Sequence, residues 1–128
     1  MTEAETVLTA LYEAFAAGDG ERLGHLLGET HWVEARGGPY GGTYKGLAEV
    51  AENVFGPIAR DVQDFSAKPD EILPVGSDRA IALGFYRGTA KAGPLETRFA
   101  HLAQVADGRI VRFEQFTDTH EWRQAVGG

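Results

Sequence analysis

Apolar positions recur along this chain at two periods, helical at first and strand-like afterwards. Ala4, Leu8, Leu11 and Phe15 fall at helical spacing behind a Ser/Thr-x-x-Glu capping box made by Thr2 and Glu5, which predicts a first helix up to the Gly18-Asp19-Gly20 break. A shorter helix over about residues 20–27 turns Leu23, Leu26 and Leu27 to one side before Gly28. His31–Ala35 reads as a brief strand, and the glycine-rich stretch Gly37–Gly46 as loop. Helical spacing returns in Leu47, Val50, Ala51 and Val54, with Gly56-Pro57 stopping or kinking it. The period then becomes two. Runs at about Gln63–Lys68, Glu71–Val75, Arg79–Gly88, Glu96–Ala106 and Arg109–Asp118, separated by Pro, Gly and Asp, predict an antiparallel meander. Helices grouped before strands predict one α+β domain over residues 1–128, its helices on one face of a curved sheet.

Register in the last hairpin decides which groups face one another. With Asp107-Gly108 as a two-residue turn, Ala106 would pair with Arg109, and Phe113 would share a face with Leu102 and Gln104. A three-residue loop, Ala106-Asp107-Gly108, instead pairs Val105 with Arg109 and places the odd residues together. One face then carries Phe99, His101, Ala103, Val111, Phe113, Gln115 and Thr117, and the other carries Arg98, Gln104, Arg112, Glu114 and Asp118. The hydrophobic pattern therefore predicts the longer loop, with His101 opposite Phe113 and Gln115 a diagonal step away. On the neighbouring run the small residues Ala82 and Gly84 alternate with Leu83 and Phe85. If that small pair faces inward beside Tyr86, the concave side keeps unfilled room. His101 then either is buried with a hydrogen-bond partner or lines a cavity, because an unpaired polar group in a dry core is expensive.

Composition narrows the partners. At 128 residues, 43% hydrophobic and 24% charged, the chain has enough apolar surface for one modest core. Twelve Lys+Arg against 19 Asp+Glu give a net charge of −7 and no basic cluster to neutralise phosphates, so no nucleic-acid partner is expected. The absence of cysteine removes disulfides, thiolate nucleophiles and Cys-ligated zinc. His25, His31 and His120 lack companions at metal-ligand spacing, and no Lys–Ser/Thr pair follows Gly41-Gly42 to make a phosphate-binding loop, so neither a metal nor a cofactor is expected. No apolar stretch of about 20 residues is available for a membrane span. With Met1–Glu5 acidic, no secretory leader is expected either, and cytoplasmic residence is the default.

The helix start, PYGGTYKG at Pro39–Gly46, FAHL at Phe99–Leu102, DGRI at Asp107–Ile110 and FEQFTDT at Phe113–Thr119 together resemble the SnoaL-like, ketosteroid isomerase-related branch of the nuclear transport factor 2-like superfamily. The resemblance covers essentially the whole chain. It implies a cone, a cystatin-like α+β barrel in which a bent antiparallel sheet wrapped by the helices encloses a deep apolar pocket, and it implies a homodimer packed through sheet surfaces. Members include isomerases, cyclases, dehydratases, epoxide hydrolases and binding modules, so the fold leaves activity open. Carried over residue by residue, the isomerase base on the first strand falls at Ala35, its oxyanion-binding tyrosine at Leu11 and its protonated carboxylic acid at His101. Tyr12 is adjacent to Leu11 but points about 100° away. A cyclase-like base on the last strand falls at Gln115, while a histidine of that branch matches His101. The Asp, Arg, Asp set of the epoxide hydrolases has no counterpart, since Arg98 and Asp118 fall on the outward face.

Two classes of function follow for a chain expected to bind a small, largely apolar ligand of polyketide or steroid type. In the enzyme reading, a cofactor-free isomerase, cyclase or lyase, His101 moves or donates a proton, Gln115 and Tyr86 position oxygen atoms, and aromatic walls exclude water. In the other, a non-catalytic dimeric module holds its ligand in the same space. The wall candidates are Tyr12, Phe15, Trp32, Phe55, Tyr86, Phe99 and Phe113, each of which simple packing also explains. Tyr40 and Tyr44 either rim the pocket or cover the sheet. Gln115 orients His101 or a ligand carbonyl, or is a satisfied structural amide. Glu34 would be a relocated carboxylate, but alternation with Val33 and Ala35 points it outward unless a bulge shifts the strand. Asp118, three residues before Glu121, reads as the cap of a short C-terminal helix.

Overall fold

A computed structural model describes residues 1–127. Two helices, α1 (Glu3–Ala17) and α2 (Gly20–Leu27), precede the short strands β1 (His31–Glu34) and β2 (Gly42–Lys45). A helical run follows in three pieces, α3 (Gly46–Val50), a π-helical turn (Ala51–Phe55) and α4 (Gly56–Asp61). The long strands β3 (Val62–Val75), β4 (Arg79–Ala90), β5 (Gly93–Ala106) and β6 (Arg109–Thr117) come next, and α5 (Thr119–Val126) closes the chain. The six strands form one curved, unclosed sheet in the order β2-β1-β6-β5-β4-β3. None of the described helices is long and apolar enough to cross a membrane.

Local chemistry accounts for the helix boundaries. Thr2 accepts from the Glu5 amide while Glu5 reaches back to the Thr2 amide, and Gly18 in the left-handed region ends α1 at φ 64°. Asp19 and Asp118 cap α2 and α5 by accepting from Arg22 N and Glu121 N, as the spacing of Asp118 and Glu121 predicts. Gly56-Pro57 does not end the third helical run. Proline in the first turn of α4 needs no amide donor, and the π turn before it bonds Gly56 N to Ala51 O.

The sheet departs from the predicted meander in three respects. Part of the expected loop is β2, which pairs with β1. Strand β1 lies parallel to β6, so the sheet is mixed. The two runs before Val75 are one strand, β3, with register shifts at Gln63/Ser66 and Pro69/Glu71; as the edge strand it tolerates Pro69.

In the last hairpin the turn is the two-residue one, with Asp107 and Gly108 both at positive φ and Ala106 paired with Arg109. A shift between the Val105–Ile110 and Gln104–Arg112 pairs then adds one residue to β6. That bulge restores the odd residues of β5 to the odd residues of β6. Ile110 takes an inward place that the uniform register gives to Val111, and His101 stands directly opposite Gln115 rather than Phe113.

An inner row therefore crosses the sheet from Ile72 through Ala82 and His101 to Gln115. Helix α1 lies over this concave side, with Leu8 fully buried and Leu11 and Tyr12 nearly so. Gly84 is buried one inner row along, and a Cβ there would stand 2.2 Å from Lys68 O and 2.7 Å from Pro69 Cα. Both are backbone atoms of the paired strand and have no rotamer to escape into. Gly84→Ala is expected to lower unfolding free energy by about 1–3 kcal/mol, read from urea midpoints; an unchanged midpoint would contradict the β3–β4 pairing described.

Candidate active site

A half-enclosed cleft opens between α1, the third helical run and the inner face of the sheet. Its empty volume is about 450 Å³, counted out to solvent at its mouth, and its walls are almost wholly apolar. Helix α1 contributes Leu11, Tyr12 and Phe15, and the run from the π turn into α4 contributes Val54, Phe55 and Ile58. Trp32, Phe65, Ala67 and Phe113 line it from the sheet. Trp32 stacks on Phe113 with ring centroids 3.8 Å apart, and the Phe55 edge meets the Trp32 face at 5.5 Å.

Four ionisable groups, Tyr12, Glu34, Tyr86 and His101, line this space together with the Gln115 amide. The imidazole of His101 is held at both nitrogens: the Tyr12 hydroxyl lies 2.6 Å from Nδ1 and the Tyr86 hydroxyl 2.5 Å from Nε2. A neutral ring has one donor and one acceptor nitrogen, so one tyrosine donates to it and the other accepts from it. Gln115 Nε2 donates to the Tyr86 oxygen at 2.9 Å, and Gln115 Oε1 accepts from Ala35 N at 3.0 Å. The backbone of the β1 end thus fixes which way the amide points.

Beyond Gln115 the row reaches β1. One step past the Val33–Glu114 pair, Glu34 is 3% exposed, its Oε1 accepting from Trp32 Nε1 at 2.8 Å. The neighbouring Gln115 side chain also favours its ionised form. The expectation that Glu34 points outward is thus wrong. Trp32 and Glu34, two apart on one strand, share a face; the large apolar Trp32 faces the core and takes Glu34 with it.

Burial separates the titrations of these groups. Desolvation raises the Glu34 carboxyl from 4.5 to about 7, the Trp32 and Gln115 side chains opposing it only in part. The same cause pushes the His101 ring down from 6.5 to about 3 and lifts Tyr12 and Tyr86 above the ordinary tyrosine range. Near neutral pH the histidine is uncharged and saturated with hydrogen bonds, and Glu34 is the lining group that changes charge.

Of the wall residues read from sequence, Tyr12, Phe15, Trp32, Phe55, Tyr86 and Phe113 line the cleft with His101 and Gln115. Phe99 lies behind it, stacked on the His101 ring at 4.0 Å. Tyr40 is elsewhere: it packs edge-on against Trp122 and donates to Asp61 at 2.9 Å. Tyr44 donates to the Tyr40 and Gly41 carbonyls, away from the cleft. Asp118 is an exposed cap. Sequence reasoning missed Phe65, which follows Asp64 at φ 56° in the first irregularity of β3, where strand alternation is broken.

The sequence profile of the SnoaL-like domain matches residues 8–113. A solved NTF2-like protein from Burkholderia thailandensis E264 is 32% identical, with 98% of each chain covered and a TM-score of 0.87. An NTF2-like protein of unknown function from Burkholderia pseudomallei K96243 is 28% identical over the whole of both chains, with a TM-score of 0.86. TerC, co-crystallized with polyporic acid, shares the fold at 23% identity, covering 99% of this chain and 100% of its own, with a TM-score of 0.86. Among proteins of curated function, none matches this sequence.

Glu34 has a measurable signature in stability. Between pH 4.5 and about 7 the folded chain holds a proton on Glu34 that the unfolded chain has released, so stability falls as pH rises through this window. His101 acts with the opposite sign: its folded value of about 3 lies below 6.5, so its contribution is present above pH 6.5 and lost as pH falls. Glu34→Gln keeps an acceptor for Trp32 and removes only the first effect. Its stability relative to the parent should improve by about 3 kcal/mol between pH 4.5 and pH 7.5, read from urea unfolding; a difference independent of pH would contradict a raised Glu34.

Proposed function

The chain belongs to the SnoaL-like domain family, and from that premise we propose that its cleft binds a small, largely apolar, oxygen-bearing ligand of polyketide or steroid type. The observation that carries this reading is the pairing of an aromatic-walled cleft with one polar row, Glu34, Gln115, Tyr86, His101 and Tyr12, placed on one side of it. Apolar walls supply affinity by removing ligand surface from water, and a few convergent polar groups orient it. A ligand oxygen facing the row meets hydroxyls whose own partners are already fixed. Polyporic acid in the TerC crystal supplies one aromatic, oxygen-bearing probe, and 2-naphthol a smaller one.

The raised Glu34 favours a second step, proton transfer without a cofactor. A carboxyl near 7 is partly ionised at neutral pH and matched to take a proton there, and the tyrosine that accepts from His101 keeps its own hydroxyl proton free to meet developing charge on oxygen. In this reading the proton moves through Glu34. His101 is a positioning residue that holds Tyr12 and Tyr86, because both its nitrogens are engaged and its ring resists protonation.

The resemblance also implies a homodimer, and the outer face supports it. Leu73, Ile81 and Leu102 form one cross-strand row and Leu83, Ala100 and Phe116 the next, with Leu73 43% and Phe116 50% exposed. Phe116→Glu is expected to halve a particle mass that light scattering otherwise places at twice the chain's own. A parent protein that runs as a monomer would dispose of the dimer.

Trp32 reports on the cleft. Titration with 2-naphthol or polyporic acid should quench its fluorescence to saturation at one site per chain, and Tyr12→Phe should weaken binding about fivefold through loss of one hydrogen bond. No saturable quenching by either probe would end the binding reading. For the catalytic step, deuterium exchange at the activated C–H of 2-tetralone should rise with pH through a limb near 7 and vanish in Glu34→Gln. Exchange no faster than in buffer would leave a binding module only.

A further inference from the structure

Glu34 separates two spaces. Behind it, away from the cleft, lies a second and much smaller pocket whose lining includes Glu34, Gln115, Gly38, Pro39, Tyr40 and Trp122, with an empty volume of about 180 Å³ counted out to solvent and room for a single water molecule. Trp122 is 2% exposed, and its indole N–H is one of two buried side-chain polar atoms without a partner in the protein among the described residues; the other is the Thr30 hydroxyl, which does not line this pocket. A buried donor left unpaired costs as much as a lost hydrogen bond, and native interiors meet that demand with ordered water wherever a site is polar and roomy enough. An ionised carboxyl has about four acceptor positions. Glu34 Oε1 accepts from Trp32, which leaves the carboxyl capacity for a donor from the other side.

We infer that the pocket behind Glu34 is a water-binding site, in which one resident water accepts the Trp122 indole N–H and donates to the Glu34 carboxyl. Its walls are fixed from the same helix that supplies the tryptophan: Arg123 donates to the Gly37 carbonyl at 2.5 Å and to the Gly38 carbonyl at 3.1 Å, tying the loop after β1 to α5. Arg36 and Gly37 on that loop are exposed to solvent. The site gives Glu34 a partner that a ligand in the cleft does not displace, and a route for its proton to leave while the cleft is occupied. Only this last consequence rests on the proposed proton transfer; the water site itself does not.

The test uses ligand-free protein, so its outcome is independent of the binding and exchange experiments above. In the parent, the Trp122 indole proton should show a cross-relaxation peak to water with the sign of a long-lived contact. In Trp122→Phe, the Glu34 midpoint, followed by the carboxyl carbon resonance, should rise by about one unit as the carboxylate loses a hydrogen-bonded partner. Absence of the water peak at the parent's indole overturns the inference, and so does an unmoved Glu34 midpoint in a variant whose circular dichroism is that of the parent. Should the variant not fold, the parent's indole peak decides alone.

Discussion

Every feature of this interior answers to one constraint: polar groups placed among aromatic rings must bond to one another, because nothing apolar around them will. His101 sits against Phe99 and Phe113, Tyr86 against Phe65, Phe99 and Trp122, and Glu34 beside Trp32. Unpaired, each would cost about 1–3 kcal/mol. Tyr12, His101, Tyr86 and Gln115 are joined in a row that ends on the Ala35 amide, and Glu34 beside it is held by Trp32. Geometry of this kind tolerates little drift, since moving one group strands its neighbour.

Two backbone irregularities make the row possible. The parallel pairing of β1 with β6 brings Glu34 and the Ala35 amide beside Gln115. The bulge after the Asp107-Gly108 turn lets a tight hairpin coexist with the correct inward face. Small residues complete the arrangement. Ala82 next to His101, with Gly84 one inner row along, opens depth beside which the Tyr86 ring reaches His101 from the neighbouring strand.

These irregularities also mark what the sequence could and could not convey. Face assignment was legible: period two along β5 and β6 placed His101 and Gln115 together, and they do share the cleft. Register was not, because the hydrophobic pattern specifies only the parity of pairing, whereas turn chemistry specifies its number, and a bulge reconciles the two without a local sign beyond Asp-Gly. Glu34 was misplaced for a related reason. Val33 and Ala35 look like the buried pair of a short strand, yet Trp32 has more surface to bury than either, and the parity of β1 follows the tryptophan. The signal was present at spacing two. Tyr12 was readable as a wall residue but not as a partner of His101, since that contact spans 89 positions and depends on how α1 lies across the sheet.

Charge placement then follows from burial alone. A histidine bonded on both sides and stacked on phenylalanine is worth more as a neutral spacer than as an acid, and its raised tyrosine partners remain protonated across the physiological range. That leaves the carboxyl at the end of the row, almost wholly desolvated but supported by an indole and an amide, as the group for which a proton costs nearly as much to keep as to lose. On the proposed reading, the ligand's polar atom chooses between a neutral hydroxyl and a carboxyl of adjustable charge in the same cleft. A surface that offers both is suited to a molecule that moves a proton between carbon and oxygen, and the apolar walls then select its shape.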